Sequence, residues 1–267
     1  DFFKDLADIR HSFRLFAEKL PAEGLLIINS DIENYREICE GLPCRIVTFG
    51  HGEGSDFRAA ELSYDSFGRP SFTLVENGVP GQRIALSVPG EHNVYNALGA
   101  VAAARALGIP ADKIAEGLRN FTGTERRFEK KGVMHGVTII DDYAHHPQEI
   151  AATLAAAANY PHKKLWCVFQ PHTYSRTKAF LDEFAQALSA ADEVVLADIF
   201  AARETDTLGV SSRDIASRIQ AAGGNVHYFP TFDEIETFLL ENCSTGDLLI
   251  TMGAGDIVKV GERLLGL

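Results

Sequence analysis

The sequence is poor in the residues that build disulfide frameworks, membrane spans and polyanion-binding surfaces. Its four cysteines (Cys39, Cys44, Cys167 and Cys243) show neither CxxC spacing nor the density of a disulfide scaffold, so incidental thiols in a reducing cytosol are expected. No apolar run approaches the ~20 residues of a membrane helix, which predicts a soluble, cytoplasmic protein with no membrane partner. Lys and Arg total 25 against 37 Asp and Glu, and a net charge of −12 argues against a sequence-independent grip on nucleic acid. Any anionic ligand has to be met locally, and the stretch 162–178 contains Lys163, Lys164, Arg176 and Lys178 with no acidic residue. The only methionines are Met134 and Met252, and no signal peptide is read, so part of a longer protein is expected. There is no Gly-Lys pair, hence no GxxxxGK[ST] phosphate loop.

What is present is an ordinary globular chain with 46% hydrophobic residues. A helical face at 11–20 precedes the apolar strand 25–28, and 45–49 reads as another short strand. Three β-rich stretches follow, at 57–64, 70–76 and 82–88, separated by Gly68 and by the hairpin signal Asn77-Gly78. From Glu91 an alanine-rich segment repeats its apolar residues near every 3.6 positions, predicting a long helix that stops at Gly108-Ile109-Pro110, with a second helix over 111–120. Thr122-Gly123-Thr124 reads as a linker, giving domains 1–122 and 123–267. Beyond it, strands at 137–141, 165–170, 193–198, 226–229 and 247–251 alternate with helices at 147–159, 175–190, 211–222, 232–241 and 257–265. The fold class is therefore α/β: a first domain with parallel and antiparallel strands, then a Rossmann-like domain with a mainly parallel sheet. Ligands of such sheets bind beyond the carboxyl ends of the strands.

Four polar constellations lie at such places. Gly90-Glu91-His92-Asn93-Val94-Tyr95-Asn96 opens the alanine-rich helix, where free N–H groups and paired amides suit a purine edge, with helix capping as the plain alternative. Arg126-Arg127 follows the linker and could reach phosphates, or be a solvated face. Asp141-Asp142-Tyr143-Ala144-His145-His146-Pro147 ends one strand with two carboxylates, a phenol and two imidazoles before a proline that starts a helix. Asp and His allow a metal site, but no third histidine follows at zinc spacing, so hard-cation or substrate contacts fit better than zinc, and no residue is assigned as a metal ligand. Gln170-Pro171-His172-Thr173-Tyr174-Ser175-Arg176 ends the next strand, with Arg176 able to clamp a carboxylate or phosphate; these two strand ends are expected to be neighbours. A glycine-rich turn, Met252-Gly253-Ala254-Gly255-Asp256, lacks the full dinucleotide fingerprint.

In this order, GEHNVYNAL, GTERRF, DDYAHHPQE, QPHTYSRT and GAGD resemble the ATP-dependent Mur ligases of peptidoglycan synthesis along the whole chain. The resemblance implies the second half of a central ATPase domain and a complete C-terminal domain, with Asp1 ending a DHxD segment. It implies ATP and Mg²⁺ as cofactors, and UDP-N-acetylmuramate and L-alanine as substrates joined through an acyl phosphate. Asn93 and Asn96, with His92 near, would hold adenine; Arg126 or Arg127 the phosphates or ribose; Asp141 or Asp142 the ribose or metal-bound phosphates. Tyr143, His145, His172 and Arg176 would surround the amino acid and the muramyl carboxylate, and His145, His172 or solvent would take the amine proton. Many relatives carry arginine where this chain has Thr173, which leaves more of the anion binding to Arg176. Competing readings are a ligase for a recycled peptide, disfavoured by Tyr143, a non-catalytic nucleotide-binding module, and a metal-dependent hydrolase. The oligomeric state is left open.

Overall fold

The computed structural model describes residues 3–267; Asp1, and with it the expected DHxD segment, lies outside them. Contacts divide the chain into two units, residues 1–65 with 69–122, and 66–68 with 123–267.

The first unit runs α1 (Leu6–Ala17), β1 (Leu25–Asn29), α2 (Tyr35–Cys39), β2 (Arg45–Phe49), β3 (Phe57–Tyr64), β4 (Pro70–Glu76), β5 (Val79–Ala85), α3 (His92–Ala106) and α4 (Ala111–Asn120). Its five strands lie in sequence order, parallel from β1 to β3 and antiparallel from β3 to β5. Asn77 and Gly78 both take positive φ (50° and 79°), the geometry of a two-residue hairpin, so β5 begins directly at Val79 opposite Glu76. The expected strand at 82–88 thus starts three residues early, and Pro80 is tolerated because β5 is a sheet edge. Apolar residues of α3 (Val94, Ala97, Leu98, Val101) pack on Phe72, Leu74 and Ile84 of the sheet.

The second unit runs β6 (Glu129–Met134), β7 (Val137–Asp142), α5 (Pro147–Ala158), β8 (Leu165–Phe169), α6 (Tyr174–Ala179), α7 (Leu181–Leu188), β9 (Glu193–Leu196), α8 (Ser212–Ala221), β10 (Val226–Tyr228), α9 (Phe232–Asn242), β11 (Leu248–Met252) and α10 (Val258–Leu265). Its sheet order is β10-β9-β8-β11-β7-β6, parallel except for β6. Strand side chains alternate between faces: Ile140, Phe169 and Ile250 pack on one side with Ile150 of α5, Phe184 of α7 and Ile215 of α8. Their neighbours Ile139, Val168 and Leu249 pack on the other with Ile235 and Leu239 of α9 and Val260 of α10. Burial on both faces is why these strands read as continuous apolar runs.

Three sequence expectations are corrected. β7 and β8 are not adjacent strands, because β11 lies between them and pairs with both. The helix expected at 175–190 is two helices, broken where Phe180 (φ −127°, ψ 30°) leaves helical geometry and sets its ring 5.0 Å from that of His146. Lys164 sits at the amino end of β8, away from Arg176, and pairs with Glu193 at 3.0 Å, so the basic stretch does not form one anion site. All four cysteine thiols are free, and burial pushes that of Cys167 up to about 12.

Candidate active site

In the first unit the start of α3 borders a cavity of about 240 Å³ lined by Leu86, Val88, Ala97, Leu118 and Phe121, with Asn93 and Asn96 among its few polar groups. Neither asparagine caps the helix. The N-cap is Glu91, without a side-chain cap bond, while Asn93 Nδ2 donates to the Pro89 carbonyl at 2.8 Å and Asn96 Nδ2 to Asn93 Oδ1 at 3.1 Å. An apolar slot with amides on one side is what a flat heteroaromatic base requires: faces to pack against and an edge to hydrogen-bond. His92, exposed, is not part of this lining.

In the second unit the polar groups gather at the carboxyl ends of β7, β11 and β8, where the strand order reverses. Asp141 and Asp142 are buried. Asp141 accepts from Arg126 Nε at 2.9 Å and from Thr251 Oγ1 at 2.7 Å, tying β7 to β11. Asp142 accepts the backbone N–H of Phe128 at 2.9 Å and of Ala144 at 2.8 Å. Burial pushes both carboxyls above their ordinary range despite these donors. Both carboxylates are engaged within the protein and hold the strand end in place.

The two arginines divide in the same way. Arg126 has positive φ (58°), pairs with Asp141, donates through Nη2 to the Gly253 carbonyl at 2.7 Å, and lies 4.7 Å from the centre of the Tyr143 ring. Arg127 is exposed, 5.9 Å from the same ring, and in no ion pair among the described residues. Gly253 and Gly255 follow from close approach, since a Cβ on Gly253 would come within 2.7 Å of the Gln170 carbonyl and one on Gly255 within 2.4 Å of Gln170 Oε1.

Tyr143 is exposed beside His145, their rings 5.5 Å apart, and His145 faces His172 at 5.8 Å. The two strand ends therefore meet through their side chains across β11. Hydrogen bonds set the two imidazoles oppositely. A carbonyl only accepts, so the 2.9 Å contact between His145 Nδ1 and the Tyr143 carbonyl makes Nδ1 the protonated nitrogen and leaves the Nε2 lone pair open. A guanidinium only donates, so the 3.2 Å contact from Arg176 Nη1 makes His172 Nδ1 an acceptor and Nε2 the donor. Burial, then the adjacent Arg176 and His145, hold His172 below its usual pKa, with Glu204 opposing. Glu149 lies 3.5 Å from His145 Nδ1; burial would raise its carboxyl, but the backbone amides of His145 and His146 and the nearby ring bring it below the usual range. His146 caps α5, its Nδ1 accepting from Gln148 N at 3.3 Å.

Residues 1–104 match the Mur ligase middle domain and residues 126–255 the Mur ligase glutamate ligase domain. The chain belongs to the Mur ligase family. It is 58% identical over 99% of its length to UDP-N-acetylmuramate–L-alanine ligase of Lachnospira eligens, and 48% identical over 99% to the enzyme of that name from Caldanaerobacter subterraneus. It spans 58% of the length of each of these relatives. Among solved structures, UDP-N-acetylmuramate–alanine ligase of Thermotoga maritima superposes with TM-score 0.80 at 26% identity, covering 98% of this chain and 55% of that one. A murein peptide ligase of Psychrobacter arcticus gives 0.70 at 26%, covering 99% and 55%.

Sequence reading missed one member of this Mur ligase cluster. Glu204, in the loop after β9, accepts from Ser175 N at 3.1 Å, and also from Tyr174 N and Ser175 Oγ. The available signal was positional, because the carboxyl end of β9 adjoins that of β8 and deserves the same scrutiny.

Proposed function

We propose that this chain supplies the base-binding and amino-acid-binding parts of an enzyme that joins L-alanine to the carboxylate of UDP-N-acetylmuramate at the expense of ATP, in the cytoplasm. The observation that carries this reading is the convergence of Tyr143, His145, His172 and Arg176 at the ends of two strands separated by β11. The names of the relatives support alanine as the acceptor. The remainder of a Mur ligase central domain corresponds to residues 1–122 in this reading, and the C-terminal domain to 123–267.

A carboxylate is a poor electrophile, so ATP, as co-substrate, converts it to an acyl phosphate. The slot between α3 and α4 takes the adenine, with Asn93 and Asn96 at its edge; in the second unit, the exposed Arg127 is the arginine assigned to an anionic group. Mg²⁺ belongs with the phosphates in such chemistry. Among the described residues no three carboxylate, imidazole or thiol side chains converge on one point, so none of them is assigned to it. Arg176 clamps the alanine carboxylate through its planar fork. His172, protonated at Nε2, donates to an oxygen of the reacting group, while the open Nε2 of His145 accepts the proton of the attacking amine. Glu149, beside Nδ1, then stabilises the imidazolium that results. The amine lone pair forms the amide bond as phosphate departs.

The full-length protein that contains this sequence should release phosphate from ATP only when UDP-N-acetylmuramate and L-alanine are both supplied. Release with a free tripeptide, its amino terminus open, in place of alanine would favour the recycling ligase, and release with neither acceptor would refute both.

A further inference from the structure

The helix that carries Arg176 is unusually dependent on a residue outside it. α6 spans only Tyr174–Ala179, and its N-cap Thr173 has φ 69° and reaches Arg176 N at a long 3.4 Å. A helix so short has most of its N-terminal N–H groups without internal partners. The loop after β9 supplies what is missing. Phe200 forms a parallel bridge with His172 and stacks on its ring at 5.6 Å, the Thr173 N–H donates to the Phe200 carbonyl at 2.9 Å, and Lys178 Nζ donates to the Leu208 carbonyl at 3.0 Å. Within that bracket, Glu204 takes the Tyr174 N–H, the Ser175 N–H and the Ser175 hydroxyl on one carboxylate.

We propose that Glu204 is a positioning residue for amino-acid binding: it fixes the first turn of α6 and so sets Arg176 and His172 for the acceptor. Ser175 immediately precedes Arg176, and Arg176 in turn holds His172 Nδ1, so displacement of this turn moves both groups together. Glu204 is not a ligand itself, since its oxygens are already committed to these donors. The Ser175 hydroxyl, with the two backbone amides, keeps the carboxyl below its ordinary pKa and hence charged, which suits an anion at a helix start. The proposal rests on the ligase reading for what α6 binds, but not for the clamp.

The test uses the full-length enzyme with Glu204→Ala, Glu204→Gln and, as a scale, Arg176→Lys. Glu204→Ala should raise the KM for L-alanine about tenfold while leaving the KM for ATP within about twofold, through loss of several hydrogen bonds to one turn. Glu204→Gln, which keeps one acceptor oxygen, should fall between wild type and Ala. Hydrogen exchange of the Tyr174 and Ser175 amides should speed up in Glu204→Ala. Unchanged exchange there, or an equal rise in every KM together with a lowered melting temperature, would overturn the proposal. A wild-type enzyme that ignores alanine would instead refute the ligase reading, and the exchange measurement would still decide the clamp.

Discussion

Arg126→Met tests whether the first arginine of the pair is a latch or a ligand contact. Methionine keeps much of the stem volume but leaves Asp141 buried without its cation and the Gly253 carbonyl without its donor. Breaking a buried pair by removing one partner costs about 3–5 kcal/mol. Arg126 is 25% exposed, so water can replace part of the loss, and a cost of about 2–3 kcal/mol is expected. The single tryptophan makes the assay local: Trp166 is buried in β8, so urea unfolding followed by its fluorescence reports the second unit alone. Asp141→Asn in the Arg126→Met background should recover about 1 kcal/mol, because it removes the uncompensated charge. The pH dependence has a defined sign. Burial raises the folded pKa of Asp141 above 3.8, so the penalty for its ionisation is absent below 3.8 and grows as pH rises through the folded value; the Met deficit should shrink in acid. A cost under about 0.5 kcal/mol, together with a raised KM for ATP, would refute the latch and make Arg126 the ligand contact.

Two further outcomes follow from the two sites. Asn96→Ala in the full-length enzyme should cost about 1–3 kcal/mol of ATP binding, read as a raised KM for ATP with that for alanine unaltered; the reverse pattern would reject the adenine slot. His172 has a folded pKa below 6.5, chiefly through burial, so the stability it contributes is present above 6.5 and lost as pH falls below that value. His172→Gln should therefore flatten the fall in urea midpoint below pH 6.5, and parallel curves for the two proteins would contradict a neutral, half-buried imidazole.

The strands at 45–49, 57–64 and 70–76 and the helix at 111–120 were readable to the residue because apolar pattern and turn residues agree there. β6 was not: Glu129, Lys130, Lys131 and Gly132 carry no apolar alternation, and its signal was the two-residue turn His135-Gly136, both at positive φ (48° and 83°). The motif residues at the ends of β7 and β8 could be picked out, since few structural demands place so many polar groups before a helix. Their division of labour could not. Which arginine is spent on Asp141, which imidazole nitrogen bears the proton and what holds α6 depend on contacts between segments far apart in sequence, and strand order is of the same kind.

The place of β11 has a consequence for how the protein is made. β7 and β8 gain their common partner only when residues 248–252 are available, more than a hundred positions after β7 begins. On the ribosome, at about 5–20 residues per second, β7 would wait for several seconds with an unpaired edge on that side. The chemistry-bearing ends of β7 and β8 are thus assembled last, by a strand that itself supplies Thr251 and the Gly253 turn but none of the groups assigned to the reaction. A nascent chain stopped before Leu248 would contain every such group of the second unit and still leave a gap where β11 brings them together.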